Sequence, residues 1–248
     1  MRTRMQAKLK EIERQDVWRM FDRIAGRYDL LNRTLSLGID VGWRQQLAQM
    51  LPPRPGLRVL DLATGTADVP LSLCANNPDV LDVLGTDLSE GMLALGRDKV
   101  NAACRQGQIS LSSGDAMAIP SEDQAFDAVT ISFGIRNVPD VSQTLREMYR
   151  VLKPGGYGLV LEFSTPPWPG LKQGYLFYLR HILPRIGEWV SGDSVAYRYL
   201  NQTIETFPYG QAFCDLMIEA GFAEVEALPL SGGIATIYRG ERLYTTSD

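Results

Sequence analysis

Leu57-Arg58-Val59-Leu60, running into Asp61-Leu62-Ala63-Thr64-Gly65-Thr66-Ala67-Asp68, is the stretch on which the fold turns. An aliphatic, β-branched run that ends in a small-residue turn and continues into Val69-Pro70-Leu71-Ser72-Leu73-Cys74 predicts a buried strand, a tight loop and a helix. That is the opening of a Rossmann-like unit. Small residues at Ala63, Gly65 and Ala67 let a ligand approach the backbone, and the helix N-terminus beyond them favours negative groups.

The loop keeps only Gly65 of the G-x-G-x-x-G pattern that a dinucleotide asks for. Thr64, Thr66 and Asp68 place hydroxyls and a carboxylate where a pyrophosphate prefers bare amides and no second negative charge. A ligand with a cationic or neutral middle fits better, and S-adenosylmethionine, a nucleoside joined to a sulfonium and an amino acid, is one. The plainer reading, in which Asp61 and the threonines only cap the helix, stands beside it.

At 248 residues the chain is long enough for one large α/β domain with an added element. Its net charge of −4 is uneven: residues 1–33 hold nine Lys/Arg against five Asp/Glu. A basic head on an acidic body fits either a solvated helix or contact with anionic lipid headgroups, and it is no nucleic-acid signature. Three widely spaced cysteines and the single His181 leave little for a metal site, so none is expected. A reduced cytoplasmic compartment follows, and with no apolar run of spanning length any membrane contact is expected to be peripheral, at the inner face. A homodimer stays open.

Residues 1–24, with Leu9, Ile12, Val17, Met20, Phe21 and Ile24 among many charges, predict one or two amphipathic helices. Trp43 and Leu47 belong to a further helix ending before Pro52-Pro53. From Leu57 strand and helix alternate, which argues for a parallel sheet covered on both faces. The expected strands are Leu57–Leu60, Val80–Thr86, Ile109–Ser112, Phe126–Phe133 and Gly158–Phe163, with helices over Glu90–Cys104 and Val141–Leu152, the latter stopped by Pro154-Gly155-Gly156. Leu171, Tyr175, Leu179, Ile182, Ile186 and Trp189 follow helical spacing, with Pro184 as a kink; they line a greasy pocket or form an ordinary packed helix. Thr206–Gly221 predicts another helix, and Val225–Leu228 and Ile234–Tyr238 two closing strands.

Ligands of such sheets gather outside the carboxyl ends of the strands. Asp61, Asp87, Asp115, Ser132 and Glu162 all stand at those ends, and Asp87 lies 26 residues beyond Asp61, near the offset of a ribose-binding acid. Each alone is also an ordinary cap or turn former. Five in series mark a site.

Two motifs now carry a resemblance: Tyr28-Asp29-Leu30-Leu31-Asn32 through Ser36 and Gly38 to Trp43, and Arg150-Val151-Leu152-Lys153-Pro154-Gly155-Gly156 through to Leu161-Glu162-Phe163-Ser164. Ile131-Ser132-Phe133-Gly134-Ile135-Arg136-Asn137-Val138 and Gly232-Gly233-Ile234 add to it. With these the chain resembles the ubiquinone/menaquinone biosynthesis C-methyltransferases, within the class I S-adenosylmethionine-dependent methyltransferases. One departure is Asp40, where the family usually has a histidine four residues after the motif serine.

The resemblance implies a mostly parallel seven-stranded sheet in a single domain: an N-terminal helical cover (1–53), a cofactor-binding core (54–165), a helical lid insertion (166–206) and a C-terminal helix with closing strands (207–248). S-adenosylmethionine would be the methyl donor. Asp61, Gly65 and Thr66 would stand with their loop near its methionine part, Asp87 at the ribose, Asp115 with Ala116 at the adenine and Ser132 beside the sulfonium. The implied reaction is methylation of a ring carbon in a polyprenylated quinol of menaquinone or ubiquinone biosynthesis.

A quinone ring is electron-poor, whereas a quinol that loses a hydroxyl proton pushes electron density onto the neighbouring carbon. With a phenol-like pKa near about 10, the site must favour that anion. Arg136 is the candidate for stabilising it, with Tyr28 and Asn137 orienting it and the base unassigned; the plainer reading puts Arg136 in a structural salt bridge and packs Tyr28. Other readings are a nicotinamide-dependent reductase, which the alanines at 63 and 67 weaken, a non-catalytic S-adenosylmethionine-binding scaffold, and a C- or O-methyltransferase of another lipidic phenol.

Overall fold

The computed structural model describes residues 17–20, 22, 25, 26, 36, 38–182, 185 and 201–244. In chain order the elements are α1 (Asp40–Gln49), β1 (Leu57–Leu62), α2 (Asp68–Asn76), β2 (Val80–Asp87), α3 (Glu90–Ala102), β3 (Ile109–Ser113), β4 (Phe126–Ser132), α4 (Val141–Val151), β5 (Leu152–Phe163), α5 (Pro169–Phe177), α6 (Gln211–Glu219), β6 (Ala223–Leu230) and β7 (Ala235–Arg242). The continuous apolar run of β1 has a direct cause: Leu57 and Val59 are buried on one face of the sheet and Leu60 and Leu62 on the other. Leu57 and Val59 pack with Trp43 and Leu47 of α1 and Leu73 of α2. Leu60 and Leu62 share the opposite core with Leu145 and Met148 of α4 and Phe213 and Met217 of α6. Each such buried leucine contributes about 1.5–3 kcal/mol, so this strand anchors both layers.

The seven strands lie in the order β3-β2-β1-β4-β5-β7-β6. β1 to β5 pair in parallel, and β7 runs antiparallel between β5 and β6. Strand order reverses between β1 and β4, which opens a crevice at their carboxyl ends. The expected Rossmann-like, mostly parallel seven-stranded sheet is the observed one.

β5 begins six residues before the expected Gly158. Phe126 pairs with Leu152 and Ala128 with Tyr157, so Pro154-Gly155-Gly156 is taken up in a bulge rather than ending the chain's approach to the sheet. Gly155 sits at φ +71°, which suits that bulge to glycine. The helix expected over Thr206–Gly221 is divided: residues 201–206 are helical, Gly210 at φ +61° breaks the chain direction, and α6 follows. α5 passes into a π-helical turn, Tyr178–Ile182. Tyr28, Pro184, Ile186, Trp189 and most of the expected N-terminal helices lie outside the described residues. Among the described residues no helix is long and apolar enough to cross a membrane.

Candidate cofactor site

Ala63, Gly65 and Ala67 all have left-handed backbone, at φ +49°, +55° and +65°. Three such residues in alternation coil the loop tightly, and a bulky side chain at any of them would add strain. The loop is then tied down: the Thr64 amide donates to the Thr86 carbonyl (3.0 Å) and the Gly65 amide to Asp87 Oδ2 (2.9 Å). From β4, Gly134 closes in so tightly that a Cβ there would meet Ala63 Cβ at 2.6 Å.

Above this loop lies a cavity of about 390 Å³ at the ends of β1 to β4. Ala63 and Gly65 line it from β1, Asp87 and Leu88 from β2, Asp115, Ala116 and Met117 from the turn after β3, and Ser132, Phe133, Gly134 and Asn137 from the end of β4. Val17 and Trp18 face it from the N-terminal segment. Its described lining holds two carboxylates and no lysine or arginine. A pyrophosphate would be repelled there, and a nucleoside carrying a cation is favoured.

Asp87 is clamped by two amides, from Gly65 and from Ser89 (2.8 Å), and burial pushes its carboxyl above the usual range while those bonds oppose the shift. Each carboxylate oxygen keeps a further lone pair for a ribose hydroxyl. Asp115 accepts from the Met117 amide at 2.9 Å. Ser132 Oγ and Asn137 Oδ1 are buried with no hydrogen-bond partner among the described residues, and both residues line the cavity. Orphaned polar atoms in a cavity wall are ligand contacts in waiting. We expect Asp87→Ala to weaken S-adenosylmethionine binding by about 10- to 100-fold, the worth of one or two hydrogen bonds to a charged group. Calorimetric titration checks this, and unchanged affinity would remove Asp87 from the ribose site.

Asp61 and Thr66 stand behind the wall. Asp61 is 1% exposed and accepts from Thr64 Oγ1 (2.7 Å) and Thr130 Oγ1 (2.5 Å). Burial pushes its carboxyl up to about 7 against those two bonds. A group raised in the folded state stabilises it below its unfolded pKa, and that contribution is lost as pH rises through the folded value. Asp61→Asn, fixed in the neutral form, is therefore expected to gain on the wild type between about pH 4 and 7 and to keep a constant lead above that. Melting temperatures of the two chains across that range read the gain, and a difference constant within it would mean an ionised Asp61 throughout.

Thr66 turns its hydroxyl to Lys99 Nζ (2.8 Å), which also reaches Asp68 Oδ1 at 2.7 Å. Arg44 lies 3.5 Å from Asp68 and pairs with Asp40, which in turn accepts from Ser36 Oγ. This chain of charges runs from α1 into the cofactor loop. Asp22 makes a second tie, accepting from Ser89 Oγ (2.6 Å) and the Gly91 amide (2.9 Å) at the start of α3. Neither tie was expected from the sequence, whose only local signal was acids near helix starts.

Arg136 is 4% exposed and off the cavity wall. Its Nη1 donates to Glu162 Oε1 (2.5 Å) and to the Phe133 carbonyl (2.8 Å), and its guanidinium lies 5.4 Å from the Phe163 ring centre. It therefore sits directly behind Phe133, which does line the cavity. Asn137 Nδ2 reaches the same carbonyl at 3.4 Å. Tyr28 is outside the described residues. Among the described residues no group of three His, Cys, Asp or Glu is placed to hold a metal ion.

The sequence model of the ubiE/COQ5 methyltransferase family matches residues 7–242. A protein of Geobacter sulfurreducens named ubiquinone/menaquinone biosynthesis C-methyltransferase UbiE is 48% identical over 223 residues, covering 90% of this chain and 87% of that one. A Bacteroides fragilis protein named demethylmenaquinone methyltransferase is 42% identical over 225 residues, covering 90% and 91%. Among solved structures, S-adenosylmethionine-dependent methyltransferases similar in fold include a putative one from Methanococcus maripaludis (TM-score 0.66, 17% identity, 92% of this chain and 95% of that one). Another is from Thermotoga maritima (TM-score 0.60, 22% identity, 91% and 99%).

Proposed function

This chain belongs to the ubiE/COQ5 methyltransferase family, and from that premise we propose that it methylates a ring carbon of a polyprenylated quinol, converting a demethylmenaquinol to menaquinol, a ubiquinol precursor, or both. Its methyl donor is S-adenosylmethionine. The observation that carries the reading is the cavity: two carboxylates, small residues and orphaned polar atoms at the strand-order reversal, with no cation among the described lining residues.

Bound there, S-adenosylmethionine supplies an electrophilic methyl group. Asp87 would accept from the ribose hydroxyls, Asp115 and Ala116 would hold the adenine, and Ser132, at the end of β4, would lie on the sulfonium side. Arg136 favours the acceptor's anion, for which a buried guanidinium is the strongest available donor. The acceptor must be reduced, because only a hydroxyl can lose a proton to enrich the neighbouring carbon. Trp168, Leu171 and Phe177 of the α5 segment are 69%, 42% and 58% exposed, with Lys172 beside them. That apolar, basic surface supports peripheral contact with the lipid that holds a prenyl chain.

The test is transfer from labelled S-adenosylmethionine to short-chain naphthoquinols and benzoquinols kept reduced under anaerobic conditions, with mass spectrometry locating the methyl. Ring-carbon methylation of either quinol is expected. Cofactor binding with no transfer to any quinol would overturn the acceptor assignment.

A further inference from the structure

Behind Phe133 lies a second set of buried polar atoms with no hydrogen-bond partner among the described residues: Arg136 Nε, Glu162 Oε2 and Tyr175 Oη. They belong to one cluster. Glu162 Oε1 accepts from both Arg136 Nη1 and the Phe163 amide (2.8 Å), and the Arg136 backbone amide also favours the ionised carboxylate, while Oε2 has no partner within hydrogen-bond distance among the described residues. Tyr175 lies within electrostatic reach of both charges. A salt bridge kept only for packing would satisfy both oxygens, because burying an ion pair already carries several kcal/mol of desolvation.

The cluster's place in the fold points the same way. Phe133 separates it from the cofactor cavity and holds φ +56°, a conformation that a bulky residue rarely keeps. That strained turn brings its carbonyl to Arg136 and its amide to the Leu161 carbonyl (2.8 Å), one residue before Glu162. Strain retained between a cofactor cavity and a buried acid is characteristic of a reaction site. The rings of Phe133 and Phe163, 4.5 Å apart, pack on each other and on Trp43 and make the surroundings of the cluster apolar and aromatic.

We propose that Glu162 Oε2 is the proton acceptor for the acceptor's hydroxyl, with Arg136 and Tyr175 completing the subsite; this rests on the quinol reading above. The hydroxyl O–H bond breaks, its proton going to Glu162 and its electron pair staying on oxygen. The neighbouring ring carbon then bonds to the methyl as the S–CH3 electron pair returns to sulfur. That carbon loses its own hydrogen as a proton to water, and Glu162 returns its proton to the oxygen, so one proton leaves per turnover.

Among the described residues the titratable groups around Glu162 are Arg136 from the turn after β4, Tyr175 from α5 and Tyr238 from β7, with Tyr178 beyond Tyr175. Burial raises the Glu162 carboxyl and Arg136 opposes the rise. The net upward direction narrows the gap to a phenol, which makes the transfer less uphill.

The test is Glu162→Gln in anaerobic single-turnover methylation of a short-chain naphthoquinol from about pH 6 to 10. The wild type is expected to show a plateau, whereas the variant falls by about 10²- to 10⁴-fold at neutral pH. Its rate then climbs about tenfold per pH unit toward the quinol's own pKa, with S-adenosylmethionine affinity unchanged. A wild-type rate, or a loss that is the same at every pH, would overturn the proposal. No transfer by the wild type to any quinol would sink the functional reading and this one with it. Glu162→Asp, which keeps Arg136 partnered, stands in if the glutamine variant does not fold. A lowered but flat profile is expected of it, and a rising one would overturn the assignment. Absorbance of bound 1-naphthol gives an independent readout: the wild type should hold naphtholate near neutral pH and Glu162→Gln should not, and equal spectra would count against Glu162.

Discussion

Arg136→Ala is expected to slow methyl transfer by about a hundredfold or more and, separately, to remove about 3–5 kcal/mol of folding stability. The two losses have different causes. Arg136 is 4% exposed and its partner Glu162 is 1% exposed, so the truncation leaves a buried carboxylate with no opposite charge and only the backbone amides of residues 136 and 163 beside it. It also removes the shorter of the two side-chain hydrogen bonds to the Phe133 carbonyl, leaving that of Asn137 Nδ2. S-adenosylmethionine affinity should change little, because Arg136 does not line that cavity. The double variant Arg136→Met/Glu162→Met separates the causes: replacing a buried pair by apolar residues of similar size is often neutral or stabilising. Denaturant unfolding should show stability restored, while single-turnover assays should show transfer still lost. Recovered transfer in the double variant would reduce Arg136 to a structural role.

What the sequence made legible follows from local physics. The apolar run Leu57–Leu62 and the acids closing the next strands announce element types and their carboxyl ends, because periodicity and turn residues act within a few positions. Asp87, Asp115 and Ser132 follow from that reading and Asn137 from the family resemblance, and all four reach the cavity. The misplaced details depend on distant partners. Arg136 meets Glu162 across 26 residues only because β4 and β5 are neighbours in the sheet. Thr66 turns from the expected ligand toward Lys99, 33 residues away, and Asp22 finds Ser89 across 67. The start of β5 was hidden because Pro154-Gly155-Gly156 reads as a breaker, whereas the parallel neighbour absorbs it as a bulge. Side-chain partnership of this kind is decided by strand order and register, to which no short window of sequence has access.

Asp40→Ala is expected to destabilise the fold by about 3–5 kcal/mol, the cost of stranding one member of a buried ion pair. Asp40 is 3% and Arg44 7% exposed, and with Asp68 and Lys99 they form a chain of two carboxylates and two cations that closes on Thr66. Without Asp40 the chain carries an excess positive charge, and Arg44 must draw on Asp68, which now holds Lys99 at 2.7 Å. Cofactor affinity should therefore fall as well, because Lys99 is the tie on Thr66 in the cofactor loop. Asp40→His, which installs the residue usual in the family, restores an acceptor for Ser36 Oγ but no negative charge. The Arg44 guanidinium and burial would both depress that imidazole's pKa. Its contribution would then be lost as pH falls through the histidine range, leaving the His variant weaker at about pH 5 than at pH 8. Unfolding curves for wild type, Ala and His variants at both pH values give the answer. A loss under about 1 kcal/mol for Asp40→Ala would mean that Asp68 alone neutralises Arg44, and that the family's histidine and this chain's aspartate are interchangeable packing at the head of α1.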